Sequence, residues 1–137
     1  MLAAVLGVLG WSVGPLRWIV QNRRLRQLLL GGRRFVFVFN PTMGQRKIVT
    51  FLANGDIGEG RNNNEHTWRV RKGRLEIFAL DGRLYSRFYY DKVSGRLKHT
   101  NDTDTRSIHG QYLKPDFMPW NTTAQQRAPA DAAPPRR

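Results

Sequence analysis

From residue 34 onward, glycine turns cut the chain into short apolar and aromatic runs, and this punctuation limits the fold more than any other feature. Asn54-Gly55, Lys72-Gly73, Asp81-Gly82 and Ser94-Gly95 each separate two runs. In order, the runs are RFVFVFN, KIVTFLA, HTWRVR, RLEIFAL, RLYSRFYYD, RLKHT and RSIHGQYL. They are short for helices and rich in β-branched and aromatic residues. With tight turns between them they predict an antiparallel β-meander over residues 35–114, curled or closed into a small barrel. A chain of 137 residues supports one such domain with a modest core.

A local repeat sharpens the expectation. Gly-Arg-Leu occurs three times, at residues 73–75, 82–84 and 95–97, each time leaving a turn and starting a strand. The glycine supplies a positive φ, the arginine points out and the leucine points in. Alternation then places Leu75, Ile77 and Ala79 on one inner face, continued by Leu84, Ser86, Phe88 and Tyr90, with Trp68 and Val70 in the same layer. Arg74 and Arg96 fall at one end of the sheet and Arg83 at the other. They read as solvated strand ends that discourage edge pairing, with a functional basic surface as the alternative.

The N-terminus has a different pattern. Sixteen residues precede the first charge, Arg17. A helix of about twenty residues spans roughly 30 Å, the thickness of a bilayer core. Residues 1–22 therefore predict a single membrane-spanning helix, with an interfacial or buried soluble helix as alternatives. Arg17 can snorkel and Trp18 suits the interface. The positive charges follow the apolar run and no Ala-x-Ala site closes it, which argues against a cleaved secretory signal. Pro15 removes a backbone donor and predicts a kink. Ala3, Gly7, Gly10 and Gly14 align in a small-residue stripe suited to close packing against another helix. Gly31 or Gly32 ends the helix in a left-handed cap.

The net charge of +13 is unevenly placed: eight Lys/Arg precede the first carboxylate, Asp56. Arg17, Arg23, Arg24, Arg26, Arg33 and Arg34 make a basic flank, and residues 23–34 a basic stem, suited to anionic lipid headgroups. By the positive-inside rule this flank puts the β domain on the cytoplasmic side. A nucleic-acid backbone is the competing partner, with Trp68, Phe88, Tyr89 and Tyr90 as base-stacking candidates.

Little in the sequence points to catalysis. There is no cysteine. GDIGEGRNNNEHTWRV offers Asp56, Glu59, Glu65 and His66, but neighbours on a strand face opposite ways, and no HExxH, GxSxG or Walker A pattern appears. This stretch reads as a turn, a bend and a polar loop. Asp102-Thr103-Asp104 lacks the remaining ligands of a calcium loop, and His66, His99 and His109 lack metal-ligand spacing. No cofactor or metal is expected. Over residues 115–137, Pro115 and Pro119 argue against a central strand. Phe117, Met118 and Trp120 read as a strap on the core or an insertion into a partner, ahead of an Ala/Pro-rich tail. The function expected is a non-catalytic, membrane-anchored accessory subunit that docks on a larger membrane complex, respiratory or photosynthetic in type. A nucleic-acid-binding β domain or a small-ligand barrel are the alternatives.

Overall fold

The computed structural model describes the backbone of residues 2–116 and the side chains of residues 15–116. The stripe of Ala3, Gly7, Gly10 and Gly14 and the strap of Phe117, Met118 and Trp120 lie outside the described side chains. Helix α1 spans Leu2–Leu30 and continues through Pro15. Gly32, at φ +73°, ends it and donates its N–H to the Leu30 carbonyl at 2.7 Å. Among the described residues, no helix is long and apolar enough to cross a membrane.

The helix divides by burial rather than at residue 22. Leu16, Ile19 and Val20 are exposed, at 60, 61 and 47%. One turn later the chain meets the sheet. Leu25 and Leu29, spaced by four, are buried, and Leu28 and Leu30 pack beside them. That spacing puts them on one face of a helix. The basic stem is thus also part of the β-domain core.

Seven antiparallel strands follow: β1 Phe35–Asn40, β2 Gln45–Val49, β3 Thr67–Arg71, β4 Arg74–Phe78, β5 Leu84–Asp91, β6 Arg96–His99 and β7 Tyr112–Pro115. They form one sheet in the order β2-β1-β7-β6-β5-β4-β3, curled as a half-barrel. Its concave face holds Phe35, Phe37, Val49, Phe51, Trp68, Leu75, Ile77, Phe88, Leu97 and Leu113 in a single core. Edge-to-face contacts join Phe35 to Phe51 and Phe51 to Trp68, each at 5.5 Å, and Phe37 to Phe88 at 6.0 Å. The Trp68 indole N–H donates to the Leu52 carbonyl at 3.0 Å, so its one polar atom is satisfied inside the core.

The Asp/Glu/Asn-rich segment after β2 stitches the two outer strands together. Thr50 donates its N–H to Glu59, Gly58 to Thr50, and Leu52 to Asp56. On its other side, Ile57 donates to His66, and Trp68 to Gly55. Gly60 is required here. It has φ +83°, and a Cβ would lie 2.3 Å from the Ile48 carbonyl oxygen. The segment is a narrow bridge from β2 to β3, which fits the expected turn and bend. Glu65 departs from the expected solvated loop: it is buried and bonded to Lys47 at 2.5 Å.

Three strand expectations need correction. The second strand begins at Gln45 and ends at Val49, where Thr50 turns to pair with the bridge. The run expected over residues 106–113 is a strand only from Tyr112. Residues 100–107 instead fold over β5, with Thr100 donating to the Arg87 carbonyl and Arg106 and Ser107 to that of Tyr85. Pro115 does lie in a central strand, opposite Phe35. Asp116 donates to Arg34, so by antiparallel alternation the Pro115 nitrogen faces away from β1. On that other side β6 begins only at Arg96, so no ladder bond is lost.

Candidate functional site

Ion pairing separates the charges into two populations. Eight of the nine described carboxylates are in ion pairs. Glu76 is buried and doubly paired. It faces Arg69 on β3 and Arg87 on β5, its register partners, at 2.8 and 2.9 Å. Arg87 also meets Asp102 at 2.7 Å and Asp104 at 2.9 Å. Asp104 and the other carboxylates raise the affinity of Arg87 for its proton, and Arg87 in turn lowers the Asp102 and Asp104 carboxyls. These two aspartates are occupied as arginine ligands, which is what folds residues 100–107 onto the sheet.

The remaining described cations have no carboxylate partner, and all but Arg46 gather at one end of the molecule. Arg17, Arg23, Arg24 and Arg26 are on α1, and Arg33 follows it. Arg71, Lys72 and Arg74 surround the β3–β4 turn, Lys92 and Arg96 the β5–β6 turn, and Lys114 is at the end of β7. Strand directions bring these turns and the start of β1 to the same rim, because each neighbour is antiparallel. Arg34, expected in the lipid-facing flank, is instead bonded to Glu59 at 3.1 Å.

Besides the core contacts of Leu25 and Leu29, a hydrogen bond fixes the helix to this rim at the β3–β4 turn. Lys72 (φ +50°) and Gly73 (φ +71°) form the two left-handed positions of a tight hairpin turn. Gly73 donates its N–H to the Asn22 side-chain oxygen at 2.6 Å. A Cβ on Gly73 would sit 2.6 Å from Gln21 Oε1 and 3.3 Å from the Trp18 ring, so the turn and helix approach as closely as glycine permits.

Beside this contact lies a groove of about 400 Å³ between α1 and the sheet. Arg24, Arg74 and Lys92 line it together with Leu25, Leu28, Tyr89 and Tyr90, and no carboxylate does. Arg74 is held over the Tyr89 ring, 5.8 Å from its centre. A second lobe of about 330 Å³ shares Leu28 and Tyr90 and adds Arg33, Arg96 and Lys114. Arg96 lies over Tyr112 at 4.6 Å. Sequence alone marks Arg24 and Arg33 as basic and Arg74 and Arg96 as strand ends, but not their convergence on one groove.

The stacking candidates separate. Trp68 and Phe88 are core residues, and Arg26 covers Trp68 at 5.2 Å. Tyr89 has Arg74 on its ring, leaving Tyr90 as the exposed aromatic.

The arrangement closest to a catalytic pair is His99 with Ser107. Nε2 of His99 is 2.7 Å from Ser107 Oγ. At Nδ1 the ring meets both the Asn101 backbone N–H, at 2.8 Å, and the Asn101 side-chain oxygen, at 3.0 Å, so both ring nitrogens are occupied by neighbours within the fold. Burial lowers the His99 pKa and favours the neutral ring. Both side chains are buried, and the pair joins β6 to the loop after it. His66 bonds Arg61 at 2.9 Å, and His109 stacks at 5.7 Å from His99. Among the described residues no group of three or more His, Asp or Glu is arranged to hold a metal ion.

No protein-family model, curated protein or solved structure matches the chain.

Proposed function

We propose that the protein is a non-catalytic accessory subunit of a membrane complex, anchored through residues 1–22 and seated by its basic rim on the anionic cytoplasmic headgroup layer. The observation that carries this reading is the segregation of unpaired cations to the rim where the helix leaves the sheet. Each Lys or Arg held near an anionic leaflet contributes on the order of 1 kcal/mol. That attraction decays within about 8 Å at physiological salt, so only charges on a common rim act together.

A second support is the exposed apolar surface of Leu16, Ile19 and Val20, immediately before the rim. Val20 precedes Arg24 by four residues, about 6 Å along a helix. Apart from Arg17, which lies among these residues and can snorkel toward headgroups, apolar surface gives way to positive charge over the distance in which hydrocarbon gives way to headgroups. The β domain would then present its far end, with the β1–β2 turn, to the cytoplasm or to a neighbouring subunit.

The test is fractionation of the full chain from membranes. The protein should stay in the pellet through about 1 M salt, which shortens screening to roughly 3 Å, and through alkaline carbonate. Protease added from the cytoplasmic side should cut the β domain. Release by salt alone would exclude an anchor. Protection from protease in sealed inside-out vesicles, whose cytoplasmic face is outward, would place the domain on the wrong face.

A further inference from the structure

We propose that the groove between α1 and the β3–β4 and β5–β6 turns binds the phosphate headgroup of an anionic phospholipid. The inference rests on the membrane-seated reading and gives the rim a specific ligand. Three features converge. Arg24, Arg74 and Lys92 face one cavity of about 400 Å³ with no acid among its lining residues. Cations left without a carboxylate and turned to a shared space form a site for a phosphate, which accepts several charge-assisted hydrogen bonds at once.

The groove is also preorganised. Arg74 is steadied on the Tyr89 ring, and the adjoining turn is fixed by the Gly73–Asn22 bond. An immobilised guanidinium loses less freedom when it binds. Finally, Leu25 and Leu28 form an apolar wall beside the cations. A free inorganic anion has no use for that wall, whereas a glycerol backbone and the first acyl methylenes do. Nucleic acid fits less well, because the Tyr89 ring carries Arg74 and the core encloses Trp68 and Phe88.

The experiment is calorimetry on the full chain in a neutral detergent at about 0.15 M salt. The probes are dioctanoyl phosphatidic acid, dioctanoyl phosphatidylcholine, inorganic phosphate and a single-stranded oligothymidine. Saturable one-to-one binding of the phosphatidic acid is expected, at least roughly tenfold tighter than phosphatidylcholine or inorganic phosphate. Arg24→Gln with Arg74→Gln should weaken it by about tenfold or more. Arg46→Gln, which removes an unpaired cation at the opposite end, should leave it unchanged. Lys92→Gln alters an exposed side chain and repeats the test without disturbing the fold. Equal losses in the Arg46 and groove variants would show diffuse charge and overturn the site. Inorganic phosphate binding as tightly as the lipid, or tighter competing binding of the oligonucleotide, would overturn the lipid assignment. Membrane fractionation of the groove variant keeps the two readings apart. If the site fails but the anchor holds, the variant pellets as the parent does. A parent chain that binds the lipid yet washes off with salt refutes the anchor alone.

Discussion

Replacing the glycine of each Gly-Arg-Leu repeat by alanine measures how much the helix contact contributes to stability. Gly73, Gly82 and Gly95 have nearly the same backbone, with φ of +71°, +83° and +70°. Each alanine therefore carries a left-handed penalty of about 1–2 kcal/mol. A Cβ at Gly82 or Gly95 meets nothing within 4 Å, so the penalty is the whole cost there. At Gly73 the new methyl meets Gln21 Oε1 at 2.6 Å and the Trp18 ring at 3.3 Å. The glutamine tip can swing aside at little cost, but the ring and the backbone behind it have to retreat. That movement stretches the 2.6 Å bond from Gly73 to Asn22, worth about 1 kcal/mol. Gly73→Ala should thus lose about 2–3 kcal/mol, and exceed the other two by about 1 kcal/mol. Urea unfolding of the full chain in neutral detergent reads the difference. Asn22→Ala should reproduce the excess without a left-handed penalty, and the double variant should show less than the sum. A Gly73→Ala midpoint no lower than that of Gly95→Ala would refute the docking of α1 through this turn.

Three further outcomes follow from burial and pairing. Trp68→Ala should destabilise the domain by about 3–5 kcal/mol in the same unfolding assay, because it removes the indole from the Phe51 contact and leaves a cavity. Lys47→Met should cost about 3 kcal/mol, since Glu65 is left buried without its partner, and adding Glu65→Leu should restore much of that loss. Acid titration of thermal stability should show two regions. Burial lowers the His99 pKa below its unfolded value near 6.5. The unfolded chain then binds the extra proton, so this contribution is present above about pH 6.5 and fades as pH falls below it. His99→Gln should remove that slope. The Asp81, Asp91, Asp102 and Asp104 carboxyls are also lowered, Asp91 to about 2 by Ser94 and Lys98. Their contribution is present above their unfolded values near 4 and is lost as pH falls through the folded values.

The meander was legible because its signals are local. Turn glycines and alternation need only a few neighbouring residues, and Leu75, Ile77, Phe88 and Leu97 point inward as alternation requires. What the sequence hid depends on distant partners. Residues 106–111 have strand-like composition, yet Arg87 draws Asp102 and Asp104 across and bends the segment into a loop. The proline at 115 looked incompatible with a central strand, and only the short β6 makes it compatible. Leu25 and Leu29 carry a readable helical spacing, but it is masked by the arginines between them and the apolar run before them. Glu65 looked solvated because its partner, Lys47, is eighteen residues away.

The rim illustrates the same limit in charge. Composition gives an excess of +13 and its bias toward the N-terminus, but not which cations are neutralised. Arg34 and Arg106 find carboxylates 25 residues away, Glu59 and Asp81. Once the acids are taken by β-strand arginines and loop closures, the uncompensated charge has to lie elsewhere. It lies on α1 and on the turns beside it. Crowding like charges on one rim adds repulsion to the folded state, and leaving Leu16, Ile19 and Val20 in water sacrifices apolar burial. Each is unfavourable in isolation, and they occur within a few residues of one another on the same helix. A partner that is anionic at one depth and apolar at the next relieves both, and the proposed bilayer seating supplies both at that spacing.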